Sequence, residues 1–134
     1  MPDIHVSAAV ITARDGRVLV VRKRGTERFM QPGGKPEPGE DAAQTLAREL
    51  HEELGLRVEE AALTPLGVFV SAAANEPGHR VIATAFAMTA EPEDVQVQAE
   101  LAELRWITPD DAMRIPLAPL SEEHLLRLAW PETR

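Results

Sequence analysis

The sequence predicts an α/β fold in which a mixed, partly antiparallel sheet lies between helical layers. Three observations predict it: strand-like apolar segments before residue 25 and again after residue 65, an amphipathic helix between them, and a second helix near the C-terminus. The chain has 134 residues, 44% of them hydrophobic, and its composition does not change along its length. We therefore expect one domain over residues 1–134.

The first two strands are expected at residues 5–12 and 18–24, which are rich in β-branched and apolar side chains. Asp15 and Gly16 lie between them, and an Asp-Gly pair is typical of a tight turn between antiparallel strands. Further strands are expected at residues 58–60, 66–72, 80–88 and 104–107. Helical segments are expected at residues 108–113 and 121–129, where Thr108-Pro109 and Ser121 are typical helix starts.

The central helix is expected to begin near Ala42, with Asp41 as its N-cap, and to end at Gly55. Its apolar stripe consists of Ala43, Leu46, Leu50 and Leu54. A helix with one such stripe packs that face on a sheet and leaves its polar face outside.

Glu49, Glu52 and Glu53 project from one face of this helix, because residues three and four apart are neighbours there. Three crowded carboxylates favour a bound cation, although a solvated acidic face is the alternative. Without cysteine or paired histidine, oxygen ligands of this kind suit Mg²⁺ or Mn²⁺. Magnesium is usually bound jointly with substrate phosphates, so the pattern indicates a polyphosphate substrate.

The segment before the helix, QPGGKPEPGE at residues 31–40, is expected to form a tight, preformed loop because of its proline and glycine content. Gly33 and Gly34 have no side chains, so their backbone can approach a ligand closely. We include Gly33 in the expected metal site.

The spacing Gly34, Glu40, Arg48-Glu49-Leu50, Glu52-Glu53, Gly55-Leu56 resembles the Nudix box, and every specified position is met. The box covers 23 of the 134 residues. The resemblance implies a Nudix-type α/β/α sandwich.

The resemblance also implies an enzyme, a pyrophosphohydrolase that uses Mg²⁺ or Mn²⁺ to cleave a nucleoside diphosphate linked to another group. By position in the box, Glu49, Glu52 and Glu53 would bind metal, and Arg48 would hold a carboxylate of that cluster. Glu40 would support the site.

A group must also accept the proton of the attacking water. Glu52 or Glu53 could do so, but in many family members a glutamate on a later loop has this role. This chain offers Glu100 and Glu103, and Glu100, six residues before Trp106, is our choice.

Substrate contacts are expected from the basic stretch before the box. Its side chains could hold distal phosphates; they are Arg22, Lys23, Arg24, Arg28 and Lys35. Phe29 is the aromatic residue best placed to stack on a base. The net charge of −8 argues against binding to nucleic-acid polymers, so a small nucleotide is the expected partner.

The absence of cysteine suits a reducing cytoplasm. No segment has the length of a membrane span, and Met1-Pro2-Asp3 lacks the basic start of a signal peptide. A homodimer is left open.

The substrate within the family is not fixed by the box, because specificity lies in other loops. Some relatives that cleanse nucleotide pools read a purine with an asparagine near the last helix, whereas residues 115–124 here contain none. A nucleoside triphosphate, cleaved to monophosphate and pyrophosphate, is the first expectation. ADP-ribose or another conjugate is the second, and a nucleotide sensor without catalysis is the third.

Overall fold

The computed structural model describes residues 3–131. Its strands are β1 (Asp3–Thr12), β2 (Val18–Lys23), β3 (Gly33–Gly34), β4 (Thr64–Ala72), β5 (Arg80–Thr89) and β6 (Leu101–Ile107). The helices are α1 (Ala42–Leu54), α2 (Pro109–Ala112) and α3 (Leu126–Ala129), and a π-helical turn at Ser121–Leu125 leads directly into α3. Two short 3₁₀ turns lie at Glu60–Ala62 and Pro92–Asp94.

The strands form one mixed sheet in the order β4-β5-β1-β2-β6, and β3 pairs with β1 outside this order. β1 and β5 are parallel, whereas the other pairs are antiparallel. The hairpin predicted around Asp15-Gly16 is confirmed, since the Ala13 N–H donates to the Arg17 carbonyl at 2.8 Å. β1 lies in the middle of the sheet, so its side chains contribute to the core on both faces.

Alternation along β1 divides the core in two. Ala9 and Ile11 pack with the apolar stripe of α1, while Ala8 and Val10 pack with Leu125 and neighbouring side chains of the C-terminal helix. Helices therefore cover both faces of the sheet, and the predicted α/β/α sandwich is confirmed.

One sequence expectation is wrong. Residues 58–60 do not form a strand: the chain passes irregularly from Gly55 to the 3₁₀ turn, and only Val58 of this trio packs against the core. The loop expected at residues 31–40 also contains the short strand β3, in which Gly33 and Gly34 pair with Ala8 and Ser7 of β1.

No helix in residues 3–131 combines the length and the apolar character needed to cross a membrane.

Candidate active site

The box helix is fixed at both ends as the sequence predicts. The Asp41 side chain accepts a hydrogen bond from the Gln44 N–H, and the Gln44 side chain accepts one from the Asp41 N–H. Gly55 ends the helix with φ +68°, a left-handed conformation that glycine adopts without strain. These caps set which side chains of α1 face the sheet.

A cleft of about 380 Å³ lies where α1, β1, β3 and the segments around residues 72–76 and 118–120 meet. The residues that line it include the charged residues Glu49, Glu53, Glu100, Lys23 and Lys35. They also include the apolar residues Ile4, Val6, Val81 and Leu120. The cleft thus offers both polyphosphate chemistry and an apolar surface.

Glu53 is the most deeply buried carboxylate of the cleft, with 2% of its surface exposed. Burial raises its pKa from 4.5 to about 7, and the nearby Glu49 carboxylate adds to this, whereas the Gly33 N–H, donating at 3.2 Å, lowers it. A buried carboxylate with one hydrogen bond from the protein is well suited to gain a cation.

Glu49 faces the same cleft, and burial raises its pKa also, partly opposed by the Arg48 guanidinium. Gly34 packs directly against this carboxylate, and a methyl group at Gly34 would collide with it. Gly33 is equally confined, because its Cβ would collide with the Ser7 carbonyl. Glycine is therefore required at position 33 by the close approach of β1, whereas a side chain at position 34 would displace the Glu49 carboxylate.

Arg48 connects the loop to the helix. Its guanidinium donates to Glu40 at 2.7 Å and 3.0 Å, to the Lys35 carbonyl at 2.9 Å, and to Glu49 and Glu52 at 3.3 Å and 3.2 Å. The hydrogen bond from Arg48 holds the pKa of Glu40 down, at about 2. Glu40 is thus a permanent anion that orients Arg48, while Glu49 and Glu53 face the cleft.

Glu52 differs from the other two box glutamates. Its side chain is 51% exposed, pairs with Arg48, and does not line the cleft. Among residues 3–131, no three acidic or histidine side chains are arranged as a ready metal site. The structure therefore brings Glu49, Glu53 and Gly33 of the expected metal site together at the cleft, and leaves Glu52 outside it.

Glu100 reaches the cleft from the loop that follows Val95. The Gln96 and Gln98 N–H groups donate to the carbonyls of Leu54 and Glu53, at 3.0 Å and 2.9 Å, which ties this loop to the end of α1. The Glu100 side chain is 66% exposed and lies 3.9 Å from Lys23 Nζ. Glu103, the alternative base, instead pairs with Arg22 at 2.9 Å and does not line the cleft.

Comparison with known proteins now adds to this geometry. A family model described as the NUDIX domain matches residues 1–128. The chain belongs to the Nudix family. It is a hydrolase that acts on phosphoric anhydrides, in a family that generally uses divalent metal ions.

Similar Nudix proteins match most of the chain. The CTP pyrophosphohydrolase of Escherichia coli (strain K12) is 33% identical over 125 residues, covering 89% of this chain and 86% of that protein. A MutT-like protein of Streptomyces ambofaciens is 32% identical over 112 residues, covering 82% and 68%. The solution structure of the E. coli ORF135 protein has a TM-score of 0.72 and 28% identity, covering 99% of this chain and 95% of that one.

The MutT protein from Methanosarcina mazei Go1 has a TM-score of 0.76 at 22% identity, covering 99% and 96% of the two chains, and shows the shared fold.

The structure corrects most of the expected substrate contacts of this Nudix protein. Arg22 is occupied by Glu103 and by the Thr26 carbonyl, and Arg28 donates to the Leu117 carbonyl at 2.9 Å. Neither they nor Arg24 lines the cleft. Lys35 does line it, as expected, and so does Lys23.

Phe29 is not available to stack on a base. It is 3% exposed, packs in the core beneath the C-terminal helix, and lies 4.8 Å from the Arg105 guanidinium. The reason is its position: the Phe29 N–H and carbonyl bond to Pro116 and Ala118, which fixes this segment beneath residues 116–118.

Sequence reasoning missed two polar residues of the cleft region, Gln31 and Ser121. Gln31 lines the cleft and accepts a hydrogen bond from the Ser121 hydroxyl, although the two are 90 positions apart. The signal available in the sequence was the position of Gln31, directly before Pro32-Gly33-Gly34 at the start of the loop.

Proposed function

We propose that this Nudix hydrolase cleaves nucleoside triphosphates to the monophosphate and pyrophosphate, with Mg²⁺ or Mn²⁺ as cofactor. The observation that carries the proposal is that both charged and apolar residues line the cleft. Glu49, Glu53 and two lysines suit a metal-bound polyphosphate, and the apolar surface beside them suits a base. The similar E. coli protein is named a CTP pyrophosphohydrolase, which supports a triphosphate substrate.

The residues present fit a divalent ion in their chemistry. Burial raises the pKa of both Glu49 and Glu53, so the two carboxylates would gain from a cation between them. Glu52, one residue from Glu53, and the Gly33 backbone would complete the set of oxygen ligands. The bound ion would neutralise phosphate charge and lower the pKa of the attacking water.

In the reaction, a water oxygen attacks phosphorus and the bond to the bridging oxygen breaks, so that pyrophosphate leaves. Glu100 accepts the water's proton, since it is an exposed carboxylate at the cleft. Lys23 and Lys35 face the same space and would neutralise phosphate oxygens. Arg48 keeps Glu49 in position and does not itself line the cleft.

The test is a panel of nucleoside triphosphates, diphosphates and ADP-ribose, each with Mg²⁺ and with Mn²⁺, in which pyrophosphate and phosphate are measured separately. We expect triphosphates to yield pyrophosphate, and we expect no turnover when a chelator removes the divalent metal ions. Higher kcat/KM for ADP-ribose would replace the proposal with the conjugate diphosphatase. Nucleotide binding without any turnover would replace it with a sensor.

A further inference from the structure

Gln31 carries a buried donor without a partner. The residue is 5% exposed and lines the cleft, and within residues 3–131 its Nε2 atom has no hydrogen-bond acceptor. A buried amide N–H without an acceptor is costly, so such groups are rare in folded proteins and favour any ligand that can accept the bond.

Ser121 fixes the orientation of this amide. The Ser121 hydroxyl is 1% exposed and donates to Gln31 Oε1, so the oxygen of the amide is occupied and the nitrogen is turned away from it. Ser121 opens the π-helical turn, a wide turn that is often found at functional sites. The position of the donor is thus set by the C-terminal helix.

Apolar residues beside Gln31 and Ser121 in the chain also line the cleft, and they match a base. Met30, next to Gln31, together with Ala118 and Leu120 near Ser121, gives this part of the cleft an apolar wall. A flat heterocycle would bury this apolar surface, whereas a polyphosphate would gain nothing from it. One oriented donor in an apolar wall is the usual arrangement for recognising a base edge.

We propose that Gln31 determines base specificity by donating from Nε2 to a ring carbonyl oxygen of the substrate, so that cytosine, uracil, guanine and hypoxanthine nucleotides are preferred over adenine nucleotides. The inference rests on the proposed function. A carbonyl oxygen projects beyond the ring and can reach a donor recessed in the wall. Adenine has only ring nitrogens as acceptors, and its exocyclic amino group would meet Nε2 donor to donor.

The cleanest pair of substrates is ITP and ATP, which differ at position 6 of the purine by a carbonyl oxygen in place of an amino group. We expect the unmodified protein to have a kcat/KM at least about tenfold higher for ITP than for ATP. CTP, UTP and GTP should behave as ITP does.

Two variants test the donor itself. Gln31→Met keeps the length of the side chain without polar atoms, and Gln31→Glu keeps the oxygen that Ser121 contacts, removes the donor and adds a negative charge. Gln31→Met should lower kcat/KM for carbonyl-bearing substrates about tenfold or more, mainly through KM, with less than a threefold change for ATP. Gln31→Glu should also weaken the binding of every triphosphate by charge repulsion, so its measured quantity is the fall in the ratio of kcat/KM for ITP to that for ATP. Gln96→Met makes the same chemical change at an exposed position outside the cleft and should leave kcat/KM unchanged.

Ser121 acts through Gln31 as a positioning residue. Ser121→Ala should reduce the preference for ITP over ATP, and Ser121→Thr, which keeps the hydroxyl, should restore it. If Ser121 had only a structural role, Ser121→Ala would instead lower kcat/KM for ITP and for ATP by the same factor.

The proposal is overturned if Gln31→Met changes kcat/KM for carbonyl-bearing substrates by less than twofold, or lowers it for ITP and ATP equally. The first result would indicate that a buried water satisfies Nε2, and the second that Gln31 has only a structural role. These outcomes differ from failure of the proposed function, in which no triphosphate yields pyrophosphate. A circular dichroism melt of each variant establishes whether it folds. If Gln31→Met does not fold, Gln31→Glu is used to test the proposal.

Discussion

Replacing Glu53 by glutamine should stabilise the metal-free protein at alkaline pH. The pKa of Glu53 lies at about 7 in the folded state against 4.5 as the reference value, chiefly because of burial. Each pH unit between these values is worth about 1.4 kcal/mol, so ionisation of Glu53 costs the folded state about 3 kcal/mol above pH 7. The Glu53→Gln variant would avoid this cost, since its amide is neutral and can still accept from the Gly33 N–H.

The sign of the pH dependence follows from proton binding. Between pH 4.5 and 7 the folded state holds a proton on Glu53 that the unfolded state has lost, so raising the pH destabilises the fold. The cost is small below pH 4.5 and complete above pH 7. Glu53→Gln should therefore gain about 1 kcal/mol at pH 5 and about 3 kcal/mol at pH 8 relative to the unmodified protein.

Thermal and urea unfolding with EDTA at pH 5 and pH 8 measure this gain. For a chain of this size, 3 kcal/mol corresponds to roughly 10 °C in Tm. Glu59→Gln, at an exposed position, is the matched control and should differ from the unmodified protein by less than about 0.5 kcal/mol at both pH values. Equal pH trends for the unmodified protein and Glu53→Gln would refute the buried-carboxylate argument.

Three further predictions concern the metal, the arginine and the base. Mg²⁺ should raise the Tm of the unmodified protein more at pH 8 than at pH 5, because Glu53 must lose its proton to bind an ion. Glu53→Gln should lose most of this rise. A rise in Tm that does not depend on pH, measured by differential scanning fluorimetry, would contradict this prediction. Arg48→Lys keeps the charge, but a lysine cannot donate to Glu40, Glu49 and the Lys35 carbonyl together. We therefore expect kcat to fall about tenfold or more in steady-state assays. An unchanged kcat would show that Arg48 does not position the glutamates. Glu100→Gln should lower kcat about 100-fold with little change in KM, and an unaltered rate would assign the proton transfer to a box glutamate.

Local signals in the sequence predicted the parts of the fold that depend on neighbouring residues. Asp41 and Gly55 defined the ends of α1 because capping involves groups within four residues. The Asp15-Gly16 turn likewise defined the first hairpin. Glu49 and Glu53 could be assigned to one site because helical spacing places them on one face.

The parts that failed depend on partners far away in the chain. Arg22 pairs with Glu103 because β2 and β6 are adjacent, and no pattern within either strand specifies that register. Phe29 is buried because residues 116–118 fold over it. The Gln31 to Ser121 contact has the same origin, since it joins the box loop to the C-terminal helix.

The parallel pairing of β1 with β5 affects the order in which this protein folds. Asp3 pairs with Arg80 and Thr12 with Thr89, so the chain must close a very long loop before these strands meet. Ile4 and Val6 on one strand and Val81 on the other contribute to the cleft. A nascent or truncated chain that ends before Arg80 would carry every glutamate of the box and still lack a wall of the substrate cleft. Long-range closure of this kind is slow, so activity should appear late during refolding, well after helix formation.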